Sequence, residues 1–240
     1  MPPINTRAET LLIATCCLVL CGLPRVMAED APPEGRLPSV LIIGDSISIG
    51  YTPHVAKLLS GEAVVRHHKG NAGPTGNGLK MLEKWLGKEK WDIIHFNWGL
   101  HDLCYRNPKS KAQGHRDKIN GTLTTSLEQY EKNLDQLVSR LKKTGAALIW
   151  AHTTVVPEGE VGRFVGDDKK YNEVATRVMK KHGITIDDLH ALTAGFPPVL
   201  FKAPGNVHYK TEGYRKLAEQ VAGIIREELN AFNKKNAGAI

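Results

Sequence analysis

Cysteine is almost absent from most of this chain. Cys16, Cys17 and Cys21 lie near the N-terminus, and only Cys104 follows them. One cysteine can form neither an internal disulfide nor a zinc site of the cysteine type, so the fold must be stabilised by its core. Long apolar runs are also scarce. The longest, Leu11 to Cys21, is shorter than the roughly 20 residues that span a bilayer.

The first 28 residues have the pattern of an export signal. Arg7 supplies a positive charge, the short apolar run follows, and Val26-Met27-Ala28 forms a small-residue cleavage site. We therefore expect a signal peptide over residues 1–28 and one exported domain over residues 29–240. The protein would be periplasmic or secreted, with no membrane attachment after cleavage. A retained N-terminal anchor is the alternative.

Charge and composition exclude several other classes. Hydrophobic residues make up 41% and charged residues 24%, which is ordinary for a soluble globular protein and excludes a disordered, collagen-like or multi-span membrane chain. The net charge of +7 is spread along the sequence. A dispersed excess of this size gives no reason to expect a nucleic-acid partner.

Short apolar runs alternate with amphipathic stretches along the rest of the chain. Strands are predicted over Ser39 to Ile43, Ala63 to Arg66, Trp91 to Trp98, Ala146 to Ala151 and Ile184 to Ile186. Helices are predicted over Pro53 to Leu59, Gly78 to Leu86, Thr125 to Lys143, Asp168 to His182 and Thr211 to Leu229. This alternation predicts the α/β class: a flavodoxin-like three-layer α/β/α sandwich around a parallel sheet of about five strands. Ligands then bind at the carboxyl ends of the strands.

Four segments that follow predicted strands or precede the last helix carry the candidate chemistry. Residues 43–51 (IGDSISIGY) resemble block I of the SGNH/GDSL hydrolase family, and residues 71–75 (NAGPT) resemble block II. Residues 99–102 (GLHD) resemble block III, and residues 207–214 (VHYKTEGY) resemble block V. The blocks occur in the family's order, so the resemblance covers nearly all of the predicted domain.

The resemblance implies an acyl-transfer site. Ser46 would be the nucleophile, and His208 would be the general base and then the general acid. The backbone amides of Ser46 and Gly73 would donate to the oxyanion. The family's third donor is an asparagine side chain, and His101 stands at that position.

Two positions depart from the family pattern. His101 replaces the asparagine, and Gly205 stands where the family has the aspartate of the triad. His208 could instead be supported by Asn206, by a backbone carbonyl, or by a carboxylate such as Asp45 or Asp102. For the two carboxylates we favour structural roles, in the loop after the first strand for Asp45 and in hydrogen bonding for Asp102. Either the site is impaired, in which case Gly205→Asp should raise turnover, or it is rebuilt around His101, in which case His101→Asn should lower turnover. We expect the rebuilt site.

These observations predict an exported serine esterase of SGNH type. Its substrate would be a small-molecule or glycan ester, in particular an O-acetyl or other O-acyl group on a carbohydrate. The alternative is a catalytically weakened SGNH fold that binds glycans. We expect no cofactor and no metal, because His101, His152 and His208, which could converge at the sheet's edge, match no known ligand spacing.

The nucleophile assignment predicts that Ser46→Ala abolishes ester turnover and leaves the fold intact, because it removes one exposed hydroxyl. The measurement is hydrolysis of a short-chain aryl ester, with circular dichroism as the control for folding. Wild-type turnover in a folded Ser46→Ala protein would refute the assignment.

Overall fold

A computed structural model of the chain describes residues 36–237, with side chains described up to residue 231. The predicted export signal lies outside these residues, so the signal and its cleavage remain predictions. Within the described range, no helix combines the length and the apolar character needed to cross a membrane.

A five-stranded parallel sheet forms the centre of the fold. The strands of the described residues are β1 (Ser39–Ile43), β2 (Val64–His67), β3 (Ile93–Phe96), β4 (Tyr105–Arg106), β5 (Thr122–Leu123), β6 (Ala147–Ala151) and β7 (Thr185–Asp187). The sheet has the order β2-β1-β3-β6-β7, and β4 and β5 form a separate antiparallel pair. β1 and β3 are mostly apolar and almost wholly buried, as strands covered on both faces must be. The predicted fold class is confirmed.

Helices cover both faces of this sheet. They are α1 (Ser46–Leu58), α2 (Thr75–Leu86), α3 (Leu127–Leu141), α4 (Asp167–His182), α5 (Leu189–Ala194) and α6 (Thr211–Ala237). α1 packs against α6, whereas α2, α3 and α4 pack side by side in succession. The amphipathic stripes of α3, α4 and α6 that are visible in the sequence are the faces buried in the core.

Three helix starts differ from the prediction by more than one residue, and one of them is that of α2, which begins at Thr75 and not at Gly78. α1 begins at Ser46 and not at Pro53, because the Asp45 side chain accepts a hydrogen bond from Ile47 N at 2.9 Å and caps the helix earlier. Pro53 is accommodated inside α1. Likewise, α3 begins at Leu127 and not at Thr125, because Ser126 caps it. The short helix α5 was not predicted.

The strand order brings the functional segments together. β1 lies between β2 and β3, so the chain crosses in opposite directions on leaving β1 and β3, and their carboxyl ends form the switch point where doubly wound folds bind ligands. Ser46 comes directly after β1, and His101 follows β3. This edge of the sheet is therefore the place to look for a site.

The long segment between β3 and α3 is an ordered arm, defined here as residues 103–124. β4 and β5 pair within it, and its backbone also bonds to the segment before α4: Tyr105 N donates to Gly162 O at 2.7 Å and Lys118 N to Val161 O at 2.9 Å. These bonds fix the arm beside the segment that precedes α4.

The packing of α2 predicts effects of different size for alanine substitutions at two glycines of that helix. A Cβ on Gly78 would lie 2.8 Å from the buried ring of Trp98, whereas a Cβ on Gly76 would meet nothing within 4 Å. Gly78→Ala should lower the free energy of unfolding by about 1–3 kcal/mol through overpacking. Gly76→Ala should change it by less than about 0.5 kcal/mol. Denaturant unfolding measures both, and equal effects would contradict this account of the packing.

Candidate active site

Ser46 and His208 meet at the carboxyl edge of the sheet. Ser46 Oγ lies 2.8 Å from His208 Nε2 although 162 residues separate them in sequence. Ser46 is the first residue of α1, and His208 lies in the loop before α6. Backbone contacts hold His208 in place within the segment between α5 and α6. Lys202 N donates to His208 O at 2.9 Å, and Phe201 forms a β-bridge with Tyr209.

Asn206 determines which nitrogen of His208 carries the proton. Asn206 Oδ1 lies 2.9 Å from the backbone nitrogen of His208 and 2.8 Å from His208 Nδ1. A backbone N–H can only donate, so the amide atom that faces it must be the oxygen. The same oxygen then requires a proton on Nδ1. Nε2 is left with its lone pair towards Ser46, which is the arrangement that a general base needs.

The backbone around Gly205 explains why the supporting residue is at position 206. Gly205 has φ +67°, in the left-handed region, and a Cβ built on it would lie 2.5 Å from the carbonyl oxygen of Gly159. An aspartate at 205 therefore cannot be accommodated without moving the backbone. Gly205→Asp would therefore strain the backbone, so its effect on turnover cannot by itself distinguish an impaired site from a rebuilt one.

The surroundings of His208 keep its imidazole neutral. Burial lowers the pKa of His208 below its usual value, and the cations Lys202, Arg163 and Arg116 lower it further, whereas Asp45 opposes them. A neutral imidazole is the form that can accept the serine proton. None of these four charged groups is an anion that forms a hydrogen bond with the ring of His208.

Two backbone amides were predicted as oxyanion donors. Ser46 N belongs to the first turn of α1, whose amides have no acceptor within the helix and favour negative charge. Gly73 N instead donates to Asn71 Oδ1 at 2.9 Å. The Gly73 amide can therefore reach a substrate oxygen only after it has left Asn71.

His101 lies in the same site. Its Nδ1 is 3.3 Å from a guanidinium nitrogen of Arg106. The pKa of His101 is lowered, first by burial and then by the charges of Arg163 and Arg106 and of His208 when it is protonated, while Asp45 raises it. The imidazole is therefore neutral near pH 7 and carries a single ring N–H.

Asp45 and Asp102 have other partners than His208. Asp45 caps α1. Asp102 is fully buried and accepts from Thr75 N at 2.9 Å and Thr75 Oγ1 at 2.6 Å, and burial raises its pKa to about 6. It joins the start of α2 to the segment after β3. Neither carboxylate contacts the imidazole directly, and both have the structural roles that the sequence favoured.

A buried ion cluster behind His101 was missed in part by the sequence analysis. Arg163 Nε donates to Leu100 O at 2.7 Å, next to His101, and Arg163 and Arg116 share Glu160 Oε1 at 2.9 and 2.8 Å. Glu160 belongs to none of the four sequence blocks, so only its burial between two arginines reveals it. The cluster holds the residues after β3 in place.

His152 does not join the other two histidines that could have formed a metal site. Its ring nitrogens contact Asp188 Oδ1 at 3.0 Å and Thr176 Oγ1 at 2.9 Å. Over residues 36–231, no group of three or more histidine, cysteine, aspartate or glutamate side chains is arranged to hold a metal ion.

The comparison with protein families agrees with this geometry. The family model described as "GDSL-like Lipase/Acylhydrolase family" matches residues 42–216. That range covers more than half of the chain, so the protein belongs to the GDSL-like lipase/acylhydrolase family, a family of hydrolases. No curated protein sequence matches it.

Solved structures with the same fold are distant in sequence. A lipase/acylhydrolase from Enterococcus faecalis has a TM-score of 0.65 at 19% identity, covering 80% of this chain and 96% of that one. The acetyl xylan esterase AlAXEase has 0.61 at 16%, covering 78% and 99%. Axe2, an acetylxylan esterase from Geobacillus stearothermophilus, has 0.61 at 17%, covering 80% and 94%. At these identities the likeness shows the SGNH hydrolase fold alone.

The contact between Asn206 and His208 predicts the effect of restoring a carboxylate at position 206. Asn206→Asp places an anion 2.8 Å from Nδ1 and should raise the pKa of His208. The acid limb of the pH profile of kcat/KM should then move up by about 1 unit or more, because the base must be neutral to act.

The matched control is Asn206→Ala, which removes the acceptor. It should lower kcat without moving the limb upward. An unchanged limb in Asn206→Asp would mean that residue 206 does not contact the imidazole in solution.

Proposed function

We propose that this protein is an exported serine esterase that removes an O-acyl group, in particular acetyl, from a carbohydrate. The observation that carries the proposal is the chain of contacts Ser46 Oγ to His208 Nε2, and His208 Nδ1 to Asn206 Oδ1, each 2.8 Å long. Membership of the GDSL-like acylhydrolase family supports the reaction class.

The geometry of the site suggests which step of ester hydrolysis each group carries out. Ser46 Oγ attacks the acyl carbon while His208 Nε2 takes its proton, and the carbonyl oxygen becomes an oxyanion near the first turn of α1. The protonated His208 then donates to the departing alcohol, leaving an acyl-serine. Water attacks this ester with His208 again as the base, which releases the acid and restores Ser46.

Asn206 can perform one of the two roles of a triad aspartate. Its oxygen orients the ring and fixes the tautomer, and it lacks the charge that stabilises the imidazolium during the reaction. Loss of the correct tautomer is what costs about 10⁴-fold in a serine protease whose aspartate becomes asparagine. Because Asn206 preserves the correct tautomer here, the replacement is compatible with turnover.

A surface beside the site supports a carbohydrate substrate. Phe164 is 40% exposed, its ring lies edge to face with Tyr105 at 5.2 Å, and Lys118 Nζ stands 5.5 Å from its centre. Tyr105 precedes Arg106, whose guanidinium contacts His101. An exposed ring flanked by polar groups next to a hydrolytic site is suited to packing against a sugar. Two of the solved relatives in fold are acetyl xylan esterases.

The proposal predicts acetate release from acetylated xylan by the wild-type protein and none from Ser46→Ala. Phe164→Ala should raise KM for the polysaccharide several-fold and leave KM for a small aryl acetate unchanged, because only the polymer reaches that ring. Val199→Ala is the matched control, since Val199 is exposed at 65% on the segment between α5 and α6.

The alternative function is a glycan-binding protein with the same fold and a weakened site. It would bind acetylated xylan without releasing acetate, and Ser46→Ala would bind as well as wild type. Binding of this kind, together with no hydrolysis of any short-chain ester, would replace the esterase proposal.

A further inference from the structure

Arg106 is a cation that the family pattern does not explain. It lies half-buried in β4, one guanidinium nitrogen donates to Gly114 O, and the other lies 3.3 Å from His101 Nδ1. Among residues 36–231, no carboxylate forms an ion pair with Arg106, whereas Arg116 and Arg163 share Glu160. At the active site, the side chain that Arg106 contacts is therefore the imidazole of His101.

This contact fixes the tautomer of His101. A guanidinium stays protonated and can only donate hydrogen bonds. His101 Nδ1 must therefore present its lone pair to Arg106, and the single proton of the neutral ring must be on Nε2. Without a donor at Nδ1, both neutral tautomers would be accessible and the N–H could point to either side of the ring.

The other charged groups around His101 act in the same direction, with one exception. Arg163, from the loop before α4, and His208, from the loop before α6, disfavour a second proton on the ring, as Arg106 does. Asp45, at the start of α1, favours it, but burial outweighs that attraction. His101 therefore stays neutral near pH 7, and its one N–H is the group available to a substrate.

We propose that Arg106 is a positioning residue for the oxyanion site: it holds His101 in the Nε2–H tautomer, so that this N–H donates to the oxyanion where relatives use an asparagine amide. The proposal rests on the proposed esterase function. The two active-site histidines are thus held in opposite tautomers, His208 by the acceptor Asn206 and His101 by the donor Arg106.

A double-mutant cycle tests whether Arg106 acts through His101. In the wild-type background, Arg106→Met should lower kcat about tenfold with KM little changed, which is less than the 10²–10³-fold loss typical of deleting an oxyanion donor. His101→Gln supplies an amide N–H near the position of Nε2 and needs no tautomer. In that background Arg106→Met should change kcat less than twofold.

An equal loss in both backgrounds would overturn the proposal, because Arg106 would then act on the fold or on the substrate directly. The pH profile of kcat provides a second readout. Removing the Arg106 cation should raise the pKa of His101 and add an ionisation that is absent from wild type and from the His101→Gln/Arg106→Met protein. No added ionisation would also count against the proposal.

The tautomer itself can be measured without any activity. The ¹⁵N chemical shifts of His101 distinguish a protonated Nε2 from a protonated Nδ1, and Ser46→Ala protein can be used for the spectrum. We expect Nε2–H with Arg106 present and a mixture in Arg106→Met. Nδ1–H with Arg106 present would refute the proposal, whereas a lack of ester turnover alone would refute only the esterase function.

Discussion

The amide oxygen of Asn206 receives two N–H groups of one residue, the backbone and the Nδ1–H of His208. The backbone bond fixes the orientation of the amide, and the fixed amide then fixes the proton on the ring. Everything else at the site depends on that proton, since Nε2 can accept from Ser46 only while Nδ1 holds it. The turn at Gly205, pressed against the carbonyl of Gly159, places Asn206 where this double contact is made.

An uncharged orienting group changes the electrostatics of the whole site. A triad aspartate would counter the cations around His208, whereas here Asp45 is the anion that acts against Lys202, Arg163 and Arg116. The site is thus built for a neutral resting state, with imidazoles kept uncharged by burial and by neighbouring arginines. The imidazolium formed during turnover must be stabilised by the developing negative charge of the reacting ester itself.

The sequence predicted the fold well because strand and helix periods are local signals. β1 was predicted with its observed bounds, and the pairing of Ser46 with His208 followed from motifs in the family's order. Helix starts were less predictable, since Asp45 and Ser126 compete with neighbouring polar residues for the same cap. The sequence alone did not show which residue supports His208. The positive φ of Gly205 in the structure explains why the support comes from position 206 and not from position 205.

Arg106 and Glu160 could not have been found by pattern. Arg106 lies within the arm, five residues after His101, and the direction of its side chain depends on the pairing of β4 with β5. Glu160 becomes notable only when Arg116 and Arg163 arrive from two separate loops. Such clusters arise from tertiary contacts between segments that carry no periodic signal of their own.

The buried Asp102 has a consequence for acid tolerance. The fold lowers the pKa values of four histidines, namely His67, His68, His101 and His208. Each of them therefore contributes to the stability of the fold at pH values above its pKa in the unfolded chain, and this contribution is lost as the pH falls through its pKa in the folded chain. Asp102, with its pKa raised to about 6, has the opposite linkage: its contribution is present at low pH and is lost as the pH rises through that value. On mild acidification the folded chain therefore gains a proton at Asp102 while the unfolded chain gains protons at these histidines. A carboxyl that joins the start of α2 to the segment after β3 thereby also buffers the folding equilibrium against acid.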